Sequence, residues 1–353
     1  MRVRRMRAFT VFPRLPVPKA HTLPSATIDP QLLAGLRACA DGARLAILRL
    51  LAEDAYSVQE LGTILGLGQA TVSHHLKALG DAGLLRQQRD GTHRFYRRAQ
   101  RPSPPGPGDR TFATLFEELD AAPLGPALEA GVAQIIADRG ARSRAFFERN
   151  AEAFEASQDL IALPDRYLPV LTEWLPARGA QALEIGPGLG EFLPTLLSRF
   201  DTVWAVDRSE EMLRRCAGRL AKDGNALPQF HCGAFEHLDG RAAAARDHRV
   251  VVLAMVLHHS QTPAALTRAA VRALAADGEL LIAELSPHEQ AWVGDACGDL
   301  WLGIAPEDQD RWAQDAGARL QERQFLTLRN GFQIHLSRYR RHHDPLGAAE
   351  ARR

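Results

Sequence analysis

The chain of 353 residues has only four cysteines, Cys39, Cys216, Cys232 and Cys297, and no two of them share a CxxC spacing. That scatter excludes a disulfide framework and a thiolate metal cluster. It fits free thiols in a reducing compartment, so the expected location is cytoplasmic. No stretch approaches the 18 or so consecutive apolar residues that a membrane-spanning helix needs, and no membrane partner is expected. The Arg-rich residues 1–14 contain an apolar stretch, 8–13, too short for the core of a signal peptide. No repeat of fixed period is present. Net charge is also nearly absent: 43 Lys and Arg stand against 42 Asp and Glu, for +1 overall.

That near-neutral average hides an asymmetry. Residues 1–100 hold 15 Lys and Arg against 7 Asp and Glu, and the remaining residues hold 28 against 35. A basic N-terminal third points to a polyanion such as nucleic acid, with a merely solvated basic surface as the alternative. The length suits two domains, and composition divides the chain further. Residues 1–27, rich in proline and poor in core-forming side chains, are expected to be poorly ordered. Residues 28–98 alternate short amphipathic helices with tight turns. Residues 99–110 form a Pro/Gly linker. Residues 111–176 read as a helical connector, with Phe112, Leu115, Phe116 and Leu119 at helical spacing. Residues 177–340 alternate apolar runs (182–185, 203–206, 250–254, 279–284) with helical stretches, the pattern of βα units and a parallel sheet. Residues 341–353 are a basic tail. The expected class is α/β overall: a helix-turn-helix with a wing, then a Rossmann-like domain.

The first motif lies between Asp41 and Arg98. Asp41 can cap a helix with Leu45, Leu48 and Leu51 inward. Ser57-Val-Gln-Glu60 is a capping box opening a helix with Leu61, Ile64 and Leu65 inward. Gly66-Leu67-Gly68 makes the turn. A second helix from about Gln69 to Leu79 buries Val72, Leu76 and Leu79. Its opposite side presents Gln69, Thr71, Ser73, His74 and Lys77, short polar and basic groups suited to base edges and phosphates. His75 falls between the two faces and reads as structural. Asp90-Gly91 between two alternating runs signals a β-hairpin whose tip carries Arg89, His93 and Arg94, a wing for phosphates or the minor groove. The expected partner is double-stranded DNA.

These residues resemble the ArsR family of winged-helix repressors: Leu45-Ala-Ile-Leu-Arg-Leu-Leu51, Leu61, Ala70-Thr-Val-Ser-His-His-Leu-Lys-Ala-Leu79, Ala82-Gly-Leu-Leu85 and Tyr96. The resemblance implies operator binding as a homodimer paired through helices flanking the reader, the first at residues 31–40. Many members sense metal through cysteines on the helix before the turn. The matching positions here are Val58, Gln59 and Leu61, so that sensor is not expected. His342-His343-Asp344 lies in a basic tail, and no metal site is assigned.

The second motif is Ala182-Leu-Glu184-Ile-Gly186-Pro-Gly188-Leu-Gly190, after a strand and before a helix expected at 191–199. Glycines at Gly186, Gly188 and Gly190 let backbone pass close to a ligand. Asp207, at the end of the next apolar strand, suits hydrogen bonds from two ribose hydroxyls, with Arg208 beside it. Dinucleotides and S-adenosylmethionine both fit that pattern. Glu184 favours the second, because it would repel a pyrophosphate and attract an ammonium group. The stretch resembles motif I of class I methyltransferases. Val250-Val-Val-Leu-Ala-Met255-Val-Leu-His258-His259 resembles their fourth strand and loop, and Ala276-Asp-Gly278 with the run to Glu284 resembles the entry to their fifth. The resemblance implies S-adenosylmethionine or S-adenosylhomocysteine as ligand. It departs at Cys232-Gly233-Ala234-Phe235-Glu236, where the family often places Asp at the position of Ala234. Adenine would then rest on backbone and on Phe235. His258 and His259 could supply a general base or only orient their loop. An Asn-Pro-Pro-aromatic loop is missing, and the scattered cysteines do not suggest an arsenite site.

From about residue 31 to 340, the order of parts resembles a two-domain regulator type, with Ser286-Pro-His288 and Trp301-Leu-Gly303 included. The favoured expectation is a DNA-binding regulator with the nucleoside as effector. The alternative is an active small-molecule methyltransferase with an autoregulatory DNA-binding domain.

Overall fold

A computed structural model describes residues 29–90, 93–99, 107–235 and 247–342, with the side chains at 88–90, 93, 107, 108, 144, 147–160 and 295 left aside. The 1–27 tail, most of the 99–110 linker, Glu236, the side chains of Arg89 and His93, and the tail from residue 343 lie outside the described residues.

The head begins with α1 (Pro30–Cys39) and α2 (Gly42–Leu50). Asp41 caps α2, its Oδ1 accepting from the Arg44 N–H at 2.9 Å. The helix α3 (Val58–Leu65) opens on a full capping box: the Glu60 N–H donates to Ser57 Oγ at 3.2 Å and the Ser57 N–H to Glu60 Oε2 at 2.8 Å. The reader helix α4 (Gln69–Asp81) buries Val72, Leu76 and Leu79 against Ile47, Leu48, Leu51, Leu61 and Ile64. Strands β1 (Tyr56–Ser57), β2 (Leu85–Asp90) and β3 (His93–Arg98) form a sheet in the order β1-β3-β2, and the wing hairpin pairs Asp90 with His93.

Three helices follow: α5 (Pro107–Ala121), α6 (Pro126–Ile161) and α7 (Pro164–Trp174). They do not form a separate body. Phe112 and Phe116 of α5 and Ile135 of α6 are buried in the head's core. Further along α6, Phe146 packs on Leu189 and Met212, and on α7 Tyr167 and Leu171 join the core of the C-terminal sheet. At 36 residues, α6 is about 54 Å long, enough to reach both cores.

The C-terminal sheet has seven strands in the order β6-β5-β4-β7-β8-β10-β9. Those strands are β4 (Gly179–Ile185), β5 (Phe200–Asp207), β6 (Gln229–Cys232), β7 (His248–Ala254), β8 (Leu274–Leu285), β9 (Ala318–Thr327) and β10 (Gln333–Arg341). The first five are parallel, as the alternation of apolar runs implied; β10 runs antiparallel between β8 and β9. Alternate residues enter different cores: Ala182, Val250, Val252 and Leu281 one, Leu183, Val251, Leu253 and Leu280 the other. A sheet covered on both faces needs such near-continuous apolar strands. None of the helices of the described residues is long and apolar enough to cross a membrane.

Head and body are docked. The Phe95 ring meets Trp301 edge-on at 5.3 Å, and Arg97 lies 5.1 Å over the Trp312 ring. Arg86 and Arg97 approach Asp308 at 3.3 and 3.8 Å, and Arg268 reaches Glu53 at 2.7 Å. If α5 is integral to the head, Phe112→Ala, which empties a site 3% exposed, costs about 3–5 kcal/mol in urea denaturation. Unchanged stability would contradict that packing.

Candidate functional site

A cleft opens at the C-terminal ends of β4, β5 and β7, where open parallel sheets bind their ligands. Of the candidate residues, Glu184, Gly186, Gly188, Asp207, Arg208, Phe235, Met255 and His259 line it. So do Ser143 of α6, Tyr167 and Leu168 of α7, and Ser260 and Gln261, none of which the sequence reading had singled out.

The glycine loop is built by two different constraints. Gly188 holds φ at +56°, and an added Cβ would meet nothing nearer than Glu191 Oε2 at 3.9 Å, so its backbone stays open to the cleft. Gly190 is not a lining residue. An added Cβ there would come 2.7 Å from Cys216 Sγ, so this glycine is needed for packing against the helix Glu210–Lys222. The helix expected at 191–199 is shorter, running Leu193–Leu197. Met255 lines the cleft with φ at +58°, a strained backbone for a residue with a side chain.

Charge in the cleft is acidic. Glu184 is 2% exposed, and its Oε2 is buried without a hydrogen-bond partner. Burial, joined by repulsion from Glu191, holds its acid well above the usual carboxylate range. At the end of β5, Asp207 accepts from the Ser209 N–H at 2.8 Å. Burial still pushes its acid up to about 6, against the lowering effect of the Ser209 and Arg208 N–H groups. Ala234 is half-buried between the two lining residues Gly233 and Phe235 but does not itself line the cleft.

The two histidines of the 3-10 turn Leu257–His259 are separated in role by their surroundings. His258 is 2% exposed, does not line the cleft, and pairs through Nδ1 with the buried Glu284 carboxylate. Burial alone would lower its pKa, but Glu284 and then Asp299 outweigh it and lift it to about 9. His259 lines the cleft, with Nδ1 3.4 Å from the Gly298 carbonyl and 3.6 Å from Asp299. Burial and the neighbouring His258 hold it well below the ordinary histidine value, so it stays neutral. His258, His259 and Asp299 bring three ligand-type atoms within 4.8 Å of one another.

On the reader helix, Gln69, Thr71, Ser73, His74 and Lys77 are all exposed, as is Arg94 on the wing. His75 is turned inward, its Nδ1 3.9 Å from Asp41. Other basic groups of the head pair with carboxylates: buried Arg98 forks onto Asp120, and part-buried Arg97 and exposed Arg86 approach Asp308.

Comparison with known proteins fits this division. Residues 41–87 match the family model described as bacterial regulatory protein, arsR family, and residues 183–282 match the methyltransferase domain model. An HTH-type transcriptional regulator of Mycobacterium tuberculosis is 41% identical over 61 residues, 17% of this chain and 27% of the relative. The ribosomal RNA small subunit methyltransferase A of Burkholderia lata is 39% identical over 70 residues, 20% of this chain and 26% of the relative. The chain thus spans about a quarter of the length of these curated relatives. Among solved structures, magnesium protoporphyrin IX methyltransferase from Synechocystis with bound SAH is 16% identical, covering 56% of this chain and 97% of its own, with a TM-score of 0.45.

The His258–Glu284 pair predicts a pH signature. A histidine whose folded pKa is raised stabilises fully below its ordinary value of 6.5 and loses that contribution as pH rises through about 9. His258→Gln is therefore expected to be less stable than wild type at pH 6, with the gap narrowing by pH 10. A gap independent of pH in denaturation would contradict a charged pair. Residues 41–87 are an arsR-family helix-turn-helix domain and residues 183–282 a methyltransferase domain, joined on one chain.

Proposed function

We propose that the chain is a transcriptional regulator that binds double-stranded operator DNA as a homodimer, with S-adenosylmethionine or S-adenosylhomocysteine held in the methyltransferase-like domain as its effector. The observation that carries this reading is Glu184 Oε2, a buried acceptor without a partner facing a cleft. An α-ammonium group satisfies it, whereas a pyrophosphate would add repulsion. The neighbouring residues fit the same ligand. Asp207 is the acceptor for ribose hydroxyls. Gly188 allows close backbone approach, Gly186 lines the cleft while its missing Cβ leaves room for Val256, and Phe235, Met255 and Arg208 surround the adenine end. Ala234 contributes backbone, and Gly190 supports the loop from behind.

DNA contact falls to Gln69, Thr71, Ser73, His74 and Lys77 on α4 and to Arg89, His93 and Arg94 on the wing. Pairing of two chains is supported by α1, which leaves Leu33 and Leu36 38% and 43% exposed.

One observation favours the second reading, an active small-molecule methyltransferase. His259 faces the cleft as a neutral imidazole and could take a proton from an acceptor's nucleophile. S-adenosylmethionine, when bound, supplies an electrophilic methyl group. Protein-dependent transfer of labelled methyl to components of a cell extract would favour this reading, and its absence the effector reading.

Calorimetry tests the site. Asp207→Ala is expected to weaken S-adenosylhomocysteine binding about tenfold or more, which corresponds to about 1.4 kcal/mol. Unchanged affinity would overturn the placement of the ribose. Because hydroxyl donors need the carboxylate, wild-type affinity is expected to fall as pH drops below about 6. On DNA, Lys77→Ala should weaken binding across sequences and reduce the salt slope by about one. An unaltered slope would remove Lys77 from the phosphate contacts.

A further inference from the structure

Arg139 sits on α6 between the head and the cleft and is 3% exposed. Its planar fork is almost fully used. Nε and Nη2 donate to the two oxygens of Glu60 at 2.8 and 2.9 Å. Nη2 also donates to the Ala55 carbonyl at 2.8 Å, and Nη1 to the Gln261 carbonyl at 3.3 Å. The guanidinium lies 4.7 Å over the Trp301 ring, whose Nε1 donates to the Ser260 carbonyl at 2.7 Å. One side chain thus joins the capping box of α3, the strand entry before it, and the loop Ser260–Gln261 that lines the cleft.

Gln261 adds a second observation. It is 1% exposed, lines the cleft, and its Oε1 is buried without a hydrogen-bond partner. A buried acceptor left empty is destabilising, and a ligand N–H would satisfy it. Ser143, one turn along α6 from Arg139, lines the same cleft.

We propose that Gln261 is a ligand-contacting residue that accepts from an N–H of the bound nucleoside, and that Arg139 is a positioning residue carrying the position of that loop to Glu60 and so to the reader. The inference rests on the effector reading above and adds its route. When the ligand draws the Gln261 side chain, the backbone carbonyl held by Nη1 shifts with it. The guanidinium is rigid, so a shift at one prong is felt at the Glu60 fork. Glu60 closes the capping box of α3, the helix on which α4 packs.

The test uses the full chain, S-adenosylhomocysteine and a fluorescein-labelled duplex from upstream of its own gene, at fixed salt. DNA affinity is read by anisotropy with and without nucleoside, and nucleoside binding by calorimetry. In wild type the ratio of the two DNA affinities is expected to differ from one severalfold. In Arg139→Lys, a point charge that cannot fork onto Glu60 and reach both carbonyls, the ratio is expected to fall to within about twofold of one while nucleoside still binds. Glu60→Gln keeps the capping box and should do the same, which covers the case of an unfolded Arg139→Lys. Gln261→Leu should weaken nucleoside binding about tenfold. A purely structural role would alter stability but leave the ratio. A wild-type ratio retained in either folded variant overturns the relay alone, and unchanged nucleoside affinity in Gln261→Leu overturns the ligand contact. A wild type that binds nucleoside without any change in DNA affinity overturns the effector reading and the relay with it.

Discussion

A buried guanidinium has to be paired, and that requirement determines how the two halves of this chain meet. Removing one partner of a buried ion pair typically costs 3–5 kcal/mol, so Arg139 holds Glu60 beside it wherever α6 goes. Glu60 is not free to follow, because its other duty is the capping box of α3. The reader α4 packs on α3, so its orientation is tied to α6 rather than to the linker sequence. The head is a winged helix carried at a set angle on the body, with Phe95, Arg97 and Trp301 closing the joint.

The two functional ends carry opposite electrostatics. In the cleft, Glu184 and Asp207 gather at strand ends, and burial raises both acids. A cationic ligand would offset this desolvation of negative charge, a reason for selectivity independent of shape. On the head, part of the positive charge counted in the sequence is paired within the chain, Arg98 with Asp120 and the exposed Arg86 and part-buried Arg97 with Asp308. Among the described residues, Lys77 on α4 and Arg94 on the wing stay exposed, as does Arg37 on α1.

Local chemistry was legible in the sequence. Asp41, Ser57 and Glu60 announced their caps, the spacing of Val72, Leu76 and Leu79 gave the buried side of the reader, and the apolar runs gave the parallel strands. The glycine loop and Asp207 were readable because turn and strand-end chemistry is local. Contacts between distant residues were not. Arg139 looks like any arginine on a polar helix, and its partners Glu60 and Gln261 lie 79 and 122 residues away. The division of 111–176 between two cores was hidden for the same reason, since Phe112 and Phe146 have the same apolar signature but different neighbours. The antiparallel pair β9 and β10 was also missed, although Asn330-Gly331 between the two runs is a local hairpin signal. Gly190 was readable as a required glycine, which its φ of +84° bears out, but its packing against Cys216 was not readable.

The central claim is that nucleoside and DNA are linked through one folded unit, and linkage is reciprocal. The most direct measurement is calorimetric titration of S-adenosylmethionine and of S-adenosylhomocysteine into the full chain, free and saturated with its duplex. Bound DNA is expected to change the affinity for at least one of the two nucleosides severalfold, by the factor with which that nucleoside changes DNA affinity. Equal affinities for both nucleosides in the presence and absence of DNA would contradict it.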